Sequence, residues 1–193
     1  MMVLEVLLRG ATAGVMFATS AGLLARRHDA ARSTRAARWS GALFCWSVAA
    51  FALHPGGAET QALGAFGALV WLFSAGGIGY FWLFAATLFE DLRFAWYRLL
   101  PVVTLTLVAG VATELPRATG AFVWIVYYVL ASVLALHVLW LVARSRGDDL
   151  VEARRSLRLP FVALIAVSGV VFSALQMGTA FGIAVDWEGI VQA

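Results

Sequence analysis

Few residues in this chain could ligate a metal, carry a proton or act as a nucleophile: three histidines, one cysteine and eleven carboxylates among 193 residues. Their spacing suits none of those tasks. Cys45 is alone, which excludes an intrachain disulfide and a thiolate cluster. A membrane haem held by two histidines needs both at similar depth on facing helices. His28 lies beside Arg26, Arg27 and Asp29, His54 precedes the helix-breaking Pro55-Gly56-Gly57, and only His137 stands within an apolar run. His137 is five residues past the middle of 121–143, about 7–8 Å toward the Arg144 end at 1.5 Å per helical residue. The depths do not match, so no haem, metal or other cofactor is expected. There is also no glycine-rich phosphate loop, HExxH motif or nucleophile elbow. No catalytic residue is expected, and the chain does not read as an enzyme.

The remaining polar groups suit contacts better than reactions. A charge at the centre of a membrane helix costs roughly 2.5–3.5 kcal/mol on insertion scales, so each intramembrane polar group is weighed as functional. Glu5 and Arg9 stand four apart and can pair on one helical face near an interface. His137 reads either as a neutral imidazole hydrogen-bonded to a neighbouring helix or as a proton or ligand contact. Tyr127, Tyr128 and Gln176 could line an outward-facing pocket for a small hydrophobic ligand. Trp71, Tyr80, Trp82, Trp124 and Trp140 are equally explained as lipid-facing or interfacial aromatics.

Long apolar segments must position these residues. Hydrophobic residues make up 62% of the chain and charged ones 13%, with a mean hydropathy of +0.87. Ordinary soluble domains are about 45–50% apolar and about 25% charged. A soluble fold of this size cannot hide so much apolar surface. The apolar residues also run continuously, unlike the alternation of a β-barrel. The expected fold is therefore all-α: a polytopic helical membrane bundle forming a single transmembrane domain over residues 1–193. A hydrocarbon core about 30 Å thick takes roughly 20 helical residues to cross. On that measure the chain divides into about six spans, at 6–25, 39–54, 62–89, 99–113, 121–143 and 159–178. The third must tilt, bend or protrude, and Gly76, Gly77 and Gly79 near its middle invite a bend.

All 14 basic residues are arginine. Twelve fall within 26–38, 90–98 and 144–158; only Arg9 and Arg117 lie on the opposite side. The positive-inside rule makes the arginine-rich loops cytoplasmic, so the N-terminus and residue 193 face outward in a multi-pass protein of a bacterial cytoplasmic (inner) membrane. The pI near 9.6 then reflects topology rather than a bound polyanion. The first segment lacks an early basic residue and is followed by five arginines, so it is expected to remain as an anchor. Within it, Gly10, Gly14, Ala18 and Gly22 recur every four residues, a small-residue stripe that lets a helix of this chain or of a second copy approach closely.

The inner loop at 144–158 is a candidate signalling element. Gly147 can end one helix, Asp148 or Asp149 can cap the next, and Glu152, Arg154 and Arg155 follow at helical spacing. The stretches GDDLVEARRSLR at 147–158 and FWLFAATLFEDLRF at 81–94 resemble the multi-spanning N-terminal region of membrane-embedded bacterial transcriptional regulators of the AraC type. Those proteins follow an aromatic-rich third span with an acidic–basic loop and enter a later span through a DDLVExRRxLR-like stretch. The resemblance covers most of the chain loosely and is specific in these two stretches. It implies a sensory or anchoring membrane region that meets nucleic acid only through a soluble helix-turn-helix domain, which these 193 residues do not contain. It carries over no ligand-binding residue. Six spans from an outside N-terminus leave residue 193 outside, so a seventh helix beyond Ala193 is expected to return the chain to the cytoplasm. Expected partners are the lipid bilayer, a second copy in a homodimer and a small hydrophobic ligand. Two rival readings are a small-molecule carrier or permease with an aromatic pocket, and a membrane redox subunit, which the histidine depths oppose.

Overall fold

The computed structural model describes residues 2–25, 32–53, 64–89, 95–144 and 152–180, and every regular element among them is helical. The helices are α1 (Met2–Ala25), α2 (Arg32–Leu53), α3 (Gly64–Ala75), α4 (Gly77–Phe89), α5 (Leu100–Glu114), α6 (Arg117–Arg144) and α7 (Glu152–Ala180), with a 3-10 turn at Trp96–Leu99 before α5. Helix is the form an apolar segment adopts in lipid, where each backbone N–H and C=O must be satisfied within the segment. On α1, Leu4, Val6, Leu7 and Leu8 are 60 to 65% exposed, an outward apolar surface that suits acyl chains rather than water.

Four stretches are long and apolar enough to cross a membrane: Val6–Ala25, Arg35–Leu53, Trp96–Glu114 and Thr119–Arg144. The pair Gly64–Ala75 and Gly77–Phe89, bent by 52°, makes a fifth if taken as one span. The last apolar stretch, Val162–Gly178, has 17 residues and reaches about 25 Å at 1.5 Å each, short of a core about 30 Å thick. Four to five crossings are thus supported where six are expected. The shortfall lies at the start of α7, where Arg154, Arg155 and Arg158 precede Pro160. Helix α2 differs in the other direction. It begins at Arg32, seven residues before the apolar run, because helical geometry continues past the point where hydropathy ends.

The chain forms two compact units, Met1–Thr106 and Leu107–Ala193. In the first, α2 packs against α1, α3 and α4. Small residues make these approaches close: Ala36, Ser40, Ala42, Cys45, Ala49 and Ala50 of α2 are buried. Hydroxyls and an indole add directed contacts. Trp46 Nε1 donates to Ser20 Oγ at 3.0 Å between α2 and α1, and Ser40 Oγ meets Thr87 Oγ1 at 2.7 Å between α2 and α4.

The expected bend in the third apolar segment is present, and it falls at Gly76. Hydrogen bonds survive around it, from Gly76 N to Leu72 O at 3.3 Å and from Tyr80 N to Gly76 O at 3.0 Å. Close packing explains the glycine three residues later: a Cβ on Gly79 would stand 2.8 Å from Val102 Cα of α5. In the second unit α6 and α7 pack together. Ala131, Ala135, Val138 and Val142 form the buried stripe of α6, and Val162, Ala166 and Ser173 are buried on α7. The turn into α6 is tight, with Gly120 N bonded to Pro116 O at 2.8 Å.

Candidate functional site

The C-terminal end of α1 and the first turns of α2 border a cavity of about 400 Å³ lined by Leu24, Arg35, Arg38 and Trp39. The local sequence explains its form. The last carbonyls of any helix lack intrahelical donors. Here Arg38 supplies them: Nε donates to Leu23 O, and Nη2 donates to Leu24 O at 3.1 Å. Its positive charge also sits against the negative end of the α1 dipole. Arg35, Arg38 and Trp39 occupy i, i+3 and i+4, so α2 presents them on one side. Arg38 is half-buried, whereas Arg35 is exposed and Trp39 is half exposed. The recess thus joins two guanidinium groups, an indole and a leucine among the described residues. As sequence, these arginines read only as topology charges. The Arg-x-x-Arg-Trp spacing on one helix was the signal that could have marked them as a group.

The expected site residues fall elsewhere. Tyr127 and Tyr128 touch at 5.3 Å between ring centroids, and Trp124 lies 5.3 Å from Tyr127 and 5.9 Å from Tyr128. All three belong to α6, so they form a one-helix aromatic cluster. Gln176 is half-buried in the last turns of α7. His137 is exposed, with its ring 5.6 Å from Trp140, and the Arg144 guanidinium stands 5.2 Å from the centre of the Trp140 ring. These three make a ladder along the end of α6 that starts about 15 Å beyond the Tyr127 position at 1.5 Å per residue.

Gly10, Gly14, Ala18 and Gly22 all lie on the exposed side of α1, and a Cβ on any of the three glycines would meet nothing within 4 Å. The packed side of α1 carries Ala13 and Ser20 instead. In the candidate signalling loop, Asp148 and Asp149 lie outside the described residues. Glu152 opens α7, and Arg154 and Arg155 stand in its first turn. Glu5 belongs to α1, but its side chain is outside what is described. Among the described residues, no group of three His, Cys, Asp or Glu side chains could hold a metal ion. Comparison with known proteins returns no matching family model, no similar curated protein and no similar solved structure.

Proposed function

We propose that this chain is the membrane-embedded sensory or anchoring region of a one-component transcriptional regulator in a bacterial cytoplasmic membrane, with no catalysis of its own. The observation that carries the reading is the entry into α7. Glu152 begins the helix, Arg154, Arg155 and Arg158 follow in its first turns, and the apolar stretch Val162–Gly178 comes directly after. That order is the one the AraC-type resemblance requires of its charged approach to a later span. On this reading Val162–Gly178 is a sixth span, the arginine-rich loops are cytoplasmic, and the DNA-binding element belongs to a separate soluble domain. Reading the gene beyond codon 193 tests it. The expected result is a further apolar helix followed by a helix-turn-helix module, whose second helix enters the DNA major groove. A stop codon there, or a continuation without a DNA-binding element, would overturn it.

One observation favours a carrier instead. Transporters often build their sites at interrupted membrane helices, and α3 and α4 meet at a 52° break. Solute flux into vesicles holding the purified chain would favour that reading.

A further inference from the structure

We propose that the cavity between the end of α1 and the start of α2 binds the phosphate of an anionic phospholipid headgroup, with Arg35 and Arg38 as its cationic walls and Trp39 as its interfacial side. The proposal rests on the membrane placement of the chain and is independent of the regulatory reading.

Its position fixes the ligand class. The cavity lies where two membrane-compatible stretches, Val6–Ala25 and Arg35–Leu53, both reach their charged ends. A headgroup sits at that depth. A half-exposed tryptophan is at home there as well, with an apolar body and a polar N–H. The volume of about 400 Å³ falls within the roughly 300–1,000 Å³ of small-ligand sites.

The charge fixes the sign. Between residues 26 and 39 the sequence places five arginines against one acid, Asp29. Guanidinium groups match phosphate oxygens with paired N–H donors, and they lose less hydration than an ammonium when they do so. Arg38 already spends Nε and one Nη on the α1 carbonyls, which holds its guanidinium at the rim of the cavity. Arg35, exposed on the same side of α2, makes no hydrogen bond or ion pair among the described residues. The two arginines therefore differ in role: Arg38 ties α1 to α2 and supplies a fixed charge, while Arg35 is the adjustable clamp. Basic recesses between membrane helices on the cytoplasmic side bind acidic headgroups by this chemistry.

The test uses the full chain purified in neutral detergent. Phosphatidylglycerol and phosphatidylcholine with identical acyl chains are titrated in separately, and bound lipid is counted by native mass spectrometry. The expected result is one retained phosphatidylglycerol per chain, weakened by salt, with no retained phosphatidylcholine. Arg35→Gln should reduce phosphatidylglycerol affinity about tenfold, the loss of a charged hydrogen bond. Arg117→Gln, at the start of α6 and outside the cavity lining, should leave it unchanged. Equal retention of the two lipids by the wild-type chain would overturn the proposal whatever the variants do. So would Arg35→Gln with undiminished affinity. If inorganic phosphate displaced the lipid at equal concentration, the lipid source would be wrong and a free anion would be the ligand. Flotation with neutral phosphatidylcholine vesicles reports membrane insertion separately from headgroup binding.

Discussion

The hydroxyls of Ser40 and Thr87 meet at 2.7 Å between α2 and α4, in a contact that leaves Ser40 with no exposed surface and Thr87 with 1%. Each hydroxyl has one hydrogen, so one of the pair donates across to the other, and the one that accepts donates back along its own helix, Ser40 to Ala36 O at 2.9 Å or Thr87 to Phe84 O at 2.9 Å. The hydroxyl that donates across leaves its own backbone carbonyl to the helix ladder alone. What the pair adds is register, because it forms only when these two turns are level.

Because lipid offers no competing water, such a contact is often assumed to be strong, yet measured interhelical hydrogen bonds in membranes average about 0.6 kcal/mol, with a maximum near 1.7. Ser40→Ala and Thr87→Val should each lower stability by about that average, and the double variant should cost less than the sum. Unfolding midpoints in mixed micelles give the cycle. Full additivity would mean that the two hydroxyls are neighbours without coupling.

The glycines at the bend separate into those that packing requires and those it does not. A Cβ at Gly79 would come within 2.8 Å of the Val102 Cα, a backbone atom that cannot step aside alone. At Gly77 the nearest contact would be Ser47 Oγ at 3.8 Å, an ordinary distance. Gly79→Ala should therefore destabilise by about 1–3 kcal/mol, as overpacking does. Gly77→Ala should be neutral or stabilising by up to about 1 kcal/mol through helix propensity. Thermal unfolding followed by circular dichroism compares them directly. A larger loss at Gly77 would contradict the packing described.

The small-residue stripe of α1 yields a contrast of the same kind. Gly14 faces open space, whereas Ala13, 3% exposed, lies on the packed side with Ser20. Gly14→Leu should leave the unfolding midpoint of the single chain within about 0.5 kcal/mol, and Ala13→Leu should lower it by about 1–3 kcal/mol. Chemical cross-linking of the Gly14 variant reports separately whether a second copy uses that side.

These contrasts mark what the residue string could carry. Continuous apolar runs dictated helices, since lipid leaves the backbone no other open choice, and the run from Ser74 to Gly79 announced a bend. The stripe from Gly10 to Gly22 was visible as a pattern, but spacing defines a face and says nothing of what lies opposite. Arg38 shows the converse. Its charge was plain, while its use as a cap for Leu23 and Leu24 depends on a return of the chain that no local pattern encodes. The start of α2 at Arg32 escaped for a related reason: hydropathy marks where lipid ends, not where the helix does.

Topology is the remaining expectation, and α6 offers the cleanest place to measure it. Thr119–Arg144 is 26 residues long, enough to cross without help, and it separates Pro116 from Arg146. The six-span topology puts twelve of fourteen arginines on the Arg146 side, so on that expectation a periplasm-dependent phosphatase should be active when fused after Pro116 and inactive after Arg146. The reverse would overturn the orientation. A third fusion, after Ala193, decides what α7 does. Its apolar stretch of 17 residues reaches about 25 Å, and the arginines before it can snorkel to extend that reach at modest cost. The expected result is activity, which makes α7 a full crossing and the count six. Inactivity at both Arg146 and Ala193 would instead leave α7 unable to place its far end outside. The four-to-five-span reading would then stand, and the parity argument for a further helix before a cytoplasmic DNA-binding domain would fall with it.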